Sequence, residues 1–182
     1  MEILVDDLLW NYLSKGQRDL IEQGRYMMKN VVEDSKFTFS DYSFVVFPFA
    51  KAYEGFLKQI LLDLKFIDER DYVSDHFRIG KVLSPNLVRK LGNKSVYKKI
   101  CDSVGCDLSD EIWDTWKIGR NQVFHYFPHN LKSLSLQEAQ DIIENILMTM
   151  DTVVKKLKIQ KVKNRLVDLS ELKNIQTSNQ TV

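Results

Sequence analysis

Proline and glycine are scarce in this 182-residue chain, at 3 and 7 residues, which argues against the turn-dense, strand-rich folds that depend on them. Cysteine is limited to Cys101 and Cys106. Two cysteines cannot supply a disulfide framework, and theirs is not the spacing of a zinc site. No apolar run approaches the roughly 20 residues that a membrane span needs, the nearest being the short Phe44–Ala50 stretch. An excess of one charge is missing too. The formal net charge is +1 and the isoelectric point about 7.7, without the strongly basic footprint of a nucleic-acid-binding domain. Any nucleic-acid site must therefore be local.

What is present is ordinary for a soluble globular protein: 44% hydrophobic and 28% charged residues, enough to fold without disulfide or metal staples. The length suits one domain. That domain is expected over residues 1–160, with its core at about 37–158. From Lys161 the apolar pattern fades into Lys, Asn, Ser and Thr, so 161–182 is expected to be a flexible tail. The acidic opening, Glu2, Asp6 and Asp7, lacks the basic region of a signal peptide. The expected setting is cytoplasmic and away from membranes, with both cysteines reduced and half-buried among apolar neighbours.

Apolar residues recur at i, i+3 and i+4 in several segments and nowhere alternate over a long stretch, so the fold class is all-α, with four to six helices. The clearest helix runs from Leu136 to Leu157. Ala139, Ile142, Ile143, Ile146, Met150, Val153, Val154 and Leu157 form its stripe, and Ser135 with Glu138 forms a capping box before it. A second helix is predicted over Asp41–Leu64, with Val46, Phe49, Tyr53, Phe56, Leu57, Ile60 and Leu64 facing the core; Pro48 should kink it or mark its start. A third is predicted from about Ser109 to Tyr126, with Ile112, Trp113, Trp116, Val123 and Phe124 as its apolar residues, ending before Pro128. Two weaker helices, Leu8–Leu13 and Gln17–Val32, are interrupted at Gly16 and Gly24. Between the second and third lie a predicted loop, Arg70–Arg78, and two short helices, Pro85–Leu91 and Ser95–Val104.

The most informative string is Arg120-Asn121-Gln122-Val123-Phe124-His125. On a regular α-helix five residues turn through roughly 500°, which leaves Arg120 and His125 about 140° apart. They reach a common substrate in one of two ways. Either the helix distorts before Pro128, or a second copy of the chain supplies the same pair across a two-fold axis.

Arg-Asn-x3-His at the end of an aromatic-rich helix resembles the R-x4–6-H signature of the HEPN superfamily. Its members are helical bundles and often dimeric ribonucleases of toxin–antitoxin, anti-phage and CRISPR-associated systems. Lys51-Ala52-Tyr53-Glu54 adds to the likeness. Lys51, Glu54 and Lys58 form one polar stripe at i, i+3 and i+7, similar to the basic-x-x-Glu element in the HEPN domain of the RNase LS family of toxins. That family usually has arginine at the basic position; lysine here keeps the charge and loses the bidentate fork. The resemblance spans about Phe37–Leu157 and leaves the N-terminal segments unexplained. In the branch regulated by tyrosine modification the histidine is followed by x-Tyr. Here that position is Phe127, with Tyr126 one place earlier, which argues against that branch and for a protein antitoxin that occludes the cleft.

The resemblance implies a homodimer that cleaves RNA without metal or cofactor. RNA carries a 2′-hydroxyl beside each scissile phosphate, so a site that moves its proton and neutralises phosphate charge is sufficient. His125 suits general acid or base work. Arg120 suits the charge that builds on the phosphate in the transition state. Glu54 would orient either one or share proton transfer, Lys51 would position the backbone, and Asn121 would hold the arrangement by hydrogen bonds. The expected products are a 2′,3′-cyclic phosphate and a 5′-hydroxyl. Two alternatives stand beside this one: a non-catalytic HEPN-like module that binds RNA or protein, and a helical adaptor in which the motif is accidental. His125 and His129 lie i, i+4, but Pro128 between them breaks the helix that a metal pair would need. His76 has no visible partner in the sequence, and Trp113 and Trp116 fit a core or dimer-interface role.

Overall fold

The computed structural model describes residues 5–34 and 36–178, with side chains as far as 157. Among these residues the chain is all-α and contains no strand. Helix α1 (Asp7–Tyr12) begins on Asp6, whose carboxylate accepts from the Leu8 amide, and α2 (Lys15–Tyr26) begins on a Ser14/Gln17 capping box. These caps satisfy amides at both helix starts and divide α1 from α2 without a glycine break. Gly16 and Gly24 both lie inside α2, against the expectation that they interrupt it, and the helix passes directly into a π turn, Met27–Glu33. The reason at Gly24 is packing. A Cβ there would overlap the ring of Phe49, so the missing side chain is the space that the ring fills.

Helix α3 (Ser43–Asp63) is the central element and runs through Pro48. Pro48 is its sixth residue, past the first turn in which proline is tolerated, so the helix forgoes the backbone bond to the Phe44 carbonyl there, and the packing of its buried stripe offsets that cost. Val46, Phe49, Tyr53, Phe56, Leu57 and Ile60 are buried, as their spacing predicts. Leu64 is half-buried at the helix end. Fully burying each large side chain is worth about 1.5–3 kcal/mol, so this stripe is a principal source of stability.

The segment predicted as a loop at Arg70–Arg78 instead holds α4 (Glu69–Val73), capped by Asp68. All of α4 is exposed, so no apolar period could reveal it. The short α5 (Ile79–Val82) follows, then a 3-10 turn at Pro85–Leu87 that leads into α6 (Val88–Leu91). The remaining helices are α7 (Val96–Val104), α8 (Cys106–Trp116) and α9 (Leu136–Ser178). Nine α-helical segments thus replace the expected four to six among the described residues; the surplus is the short pieces between α3 and α7. Of the tail expected at 161–182, the side chains lie outside the described residues.

Cys101 and Cys106 are joined as a disulfide with their Cα atoms 4.1 Å apart, which corrects the expectation of two reduced apolar thiols. Gly105, at φ +99°, turns the chain between α7 and α8 and brings Cys106 back to Cys101. The same hairpin is closed by the Tyr97 hydroxyl, which donates to Asp110 Oδ1 at 2.6 Å. That hydrogen bond, with partial burial, pushes the phenol up to about 12.

Leu9, Leu13, Ile21, Met28 and Val32 share one core with α3, α8 and α9, so the core extends before residue 37. Two buried polar contacts and one partly buried one fix α8 within it. The Tyr53 hydroxyl donates to the Ile112 carbonyl at 3.1 Å, Thr115 and Thr149 share a hydroxyl bond of 2.8 Å, and Asn145 Nδ2 donates to Thr115 Oγ1 at 3.1 Å. The capping box of α9 is present as read, with the Ser135 amide donating to Glu138 Oε2 at 2.8 Å.

Candidate functional site

Regular α geometry stops at Trp116, and the chain continues as a π turn over Lys117–Gln122. The α-helix expected from Ser109 to Tyr126 therefore ends at Trp116, its end distorts before Pro128, and His125 lies in a bend beyond the helix. Close packing marks the distortion. Gly119 is buried against α9, where a Cβ would meet Ile146 Cδ1 at 2.9 Å. Arg120 lies within the π turn, which ends at Gln122, and His125 lies in the bend that follows it. Both line one cavity of about 350 Å³. Distortion of the helix end, without a second chain, brings the pair together.

The opposite wall is α3, which contributes Phe47, Ala50, Lys51 and Glu54. Positions 47, 51 and 54 follow the i, i+4, i+7 spacing of one helix face. Phe124 completes the lining beside Arg120 and His125. Of the five residues singled out in the sequence, Lys51, Glu54, Arg120 and His125 line the cavity. Asn121 does not; it is exposed.

Arg120 is held from two sides. Its Nε lies 3.6 Å from Glu54 Oε2, and its guanidinium carbon lies 5.3 Å from the ring centroid of Trp116. Trp116 is 4% exposed and packs against Tyr53 with centroids 6.5 Å apart. A rigid, buried ring beneath a guanidinium restricts where the cation can go and adds a cation–π attraction. On the facing side Lys51 Nζ is 6.0 Å from the Phe47 centroid, and Phe47 meets Phe124 edge to face at 5.5 Å.

The loop after the motif is tied to α3. Residues His129 and Asn130 adopt φ of 58° and 52°, a left-handed conformation that costs most side chains energy and that asparagine tolerates best. Asp41 holds it. Its carboxylate accepts from the Ser43 amide at 2.9 Å, the Ser43 hydroxyl at 2.6 Å, Asn130 Nδ2 at 3.2 Å and the Leu134 amide at 3.2 Å. Burial alone would raise this carboxyl's pKa; the hydrogen bonds from Ser43, Leu134 and Asn130 outweigh it and hold the value below that of an ordinary aspartate. His129 does not line the cavity.

Sequence reasoning missed Phe47, Trp116 and Phe124 as site residues. Phe124 and Trp116 were read as core or interface positions. Phe47 carried a legible signal, since it lies one turn before Lys51 on the same face of α3. A second recess, of about 1100 Å³, lies at the far end of α3. Lys65, Arg78, Lys81 and Lys94 line it together with Asp63, Asp68, Glu69 and Asp71 and with His76. Its charge is of both signs and it contains none of the motif residues, so the smaller cavity is the candidate site although the recess is larger.

No family model matches the chain, and neither a curated protein nor a solved structure matches it. The class that the fold and cavity define is therefore an all-α protein whose candidate site gathers an arginine, a lysine, a glutamate and a histidine at a mouth rimmed by two phenylalanine rings.

Proposed function

We propose that this chain is a HEPN-type endoribonuclease that cleaves RNA without a metal ion. The observation that carries the reading is the convergence of Lys51, Glu54, Arg120 and His125 on one cavity, although the two pairs lie more than 60 residues apart in sequence. The scissile phosphate would sit against Arg120 and Lys51. A base takes the proton from the 2′-hydroxyl, the 2′-oxygen attacks phosphorus, and the 5′-oxygen leaves with a proton from an acid. His125 serves as one of the two groups, and Glu54, by its ion pair, keeps Arg120 directed at the phosphate. The products are a 2′,3′-cyclic phosphate and a 5′-hydroxyl.

The reading includes a HEPN-like bundle that works as a homodimer, and a role as the toxin of a toxin–antitoxin or phage-defence pair. Tyr126 and Leu131, 79% and 78% exposed in the loop after the motif, are apolar surface that a second copy or an antitoxin would cover. A cytoplasmic setting belongs to the same proposal. The Cys101–Cys106 disulfide counts against that part, because reducing compartments disfavour such bonds. No helix among the described residues is long and apolar enough to cross a membrane.

The test is incubation of the recombinant protein with total RNA in the presence of EDTA. Wild type is expected to degrade the RNA, while Arg120→Ala and His125→Ala leave it intact. Equal degradation by folded wild type and His125→Ala would contradict the reading. Intact RNA bound by all three proteins would favour a non-catalytic RNA-binding module.

A further inference from the structure

Burying a phenylalanine is worth about 1.5–3 kcal/mol, yet Phe47 and Phe124 stand 51% and 39% exposed at the mouth of the candidate site. Their rings meet edge to face, with planes 81° apart and centroids separated by 5.5 Å. Edge-to-face contact leaves ring surface open to a third flat group. The same cavity carries the cations Arg120 and Lys51. A ligand that answers both features has a flat apolar part and an anion a few ångströms away, which describes one nucleotide unit. At about 350 Å³ the cavity lies at the small end of ligand clefts, which run roughly 300–1,000 Å³. It admits one splayed nucleotide and excludes a duplex, whose bases remain stacked and whose recognition is through shape and backbone.

We propose that Phe47 and Phe124 form a base-stacking clamp beside the scissile phosphate, so that the substrate is single-stranded RNA with an unstacked nucleotide. This inference rests on the ribonuclease reading for its scissile bond, and on the rings for the base. Hydrocarbon ring faces stack on any base, because every base has a π face. Cleavage at this site is therefore tolerant of base identity and sensitive to pairing.

The test uses the full chain and a short RNA in which 2′-fluoro groups replace every 2′-hydroxyl, which blocks 2′-oxygen attack throughout. A 2-aminopurine base at one nucleotide reports stacking by loss of fluorescence. Wild type is expected to quench the probe and to bind the single strand at least tenfold more tightly than its duplex. Phe47→Leu and Phe124→Leu should each weaken binding about tenfold, while an RNA that is abasic at that nucleotide binds wild type and both variants alike. Phe47→Tyr, which keeps an aromatic face, should retain affinity. Equal affinities of wild type and the leucine variants for the base-containing RNA would overturn the clamp. So would a changed sedimentation coefficient in the leucine variants with base-dependent binding intact, since the rings would then be an interface between copies. Base-dependent binding with no cleavage of the all-ribose strand would remove the ribonuclease reading and keep the clamp.

Discussion

Arg120 Nε and Glu54 Oε2 lie 3.6 Å apart across the gap between the π turn and α3, a contact that joins the two halves of the motif within one chain. Both side chains are substantially exposed, at 44% and 33%, so solvent screens the pair and its worth to stability is about 0.2–1 kcal/mol. Its consequence is orientation. Glu54→Gln is expected to leave the urea midpoint nearly unchanged while kcat falls about ten- to a hundredfold, the range in which small misplacement of a catalytic group acts. A large loss of stability with unchanged kcat would assign Glu54 to the fold instead.

Trp116 under the guanidinium makes a sharper demand on residue type. Lysine at position 120 keeps the charge and loses both the planar face and the forked donors. Arg120→Lys should reduce kcat about a hundredfold or more, as loss of a transition-state donor does. Activity close to wild type would mean that charge alone suffices.

The π turn depends on close approach at Gly119. A methyl group there meets the Ile146 Cδ1 at 2.9 Å, the end of a side chain that can give way in part. Gly119→Ala is expected to lower stability by about 1–3 kcal/mol, the usual cost of overpacking, and to reduce cleavage through displacement of Arg120. Removing the obstructing methyl with Ile146→Val should restore much of the loss, so the two substitutions couple in thermal unfolding. Strict additivity would contradict the packing explanation.

Asp41 links acidity to the loop behind the site. Its folded pKa lies below the ordinary value of 3.8, so its contribution to stability is present above that value and is lost as pH falls through the folded-state value. Asp41→Asn should cost about 1–3 kcal/mol near neutral pH, as loss of hydrogen bonds to a charged acceptor does. The difference from wild type should shrink at acid pH. A difference independent of pH, measured by urea unfolding from pH 7 to below 3.8, would show that the carboxylate charge is not what holds Asn130 and Leu134.

The long helices were legible because their signal is local. The apolar stripes of α3 and α9 and the Ser135/Glu138 box report burial and capping that the neighbouring residues themselves create. Helix α4 was not legible, since an exposed five-residue helix carries no apolar period. The π turn was not legible either. It follows the contact of Gly119 with Ile146 of α9, which lies 27 residues further on, and five-residue spacing on an assumed α-helix pointed Arg120 and His125 apart. Lys51 and Glu54 were readable as a polar stripe, and only the fold sets that stripe opposite Arg120. Phe124 was hidden by its own chemistry, because an apolar residue at helical spacing reads as core, whereas Phe47 was readable one turn before Lys51 on the polar stripe's face.

The most direct test of the central claim is the dependence of cleavage on the attacking oxygen. A short RNA is incubated with wild-type protein in EDTA, beside the same strand bearing one 2′-deoxy nucleotide at the mapped cleavage position. The account predicts cleavage of the first at that position, with a 2′,3′-cyclic phosphate and a 5′-hydroxyl as its ends, and no cleavage of the second there. Cleavage of the 2′-deoxy strand at the same bond, or cleavage of the first that appears only when a divalent metal replaces EDTA, would contradict it.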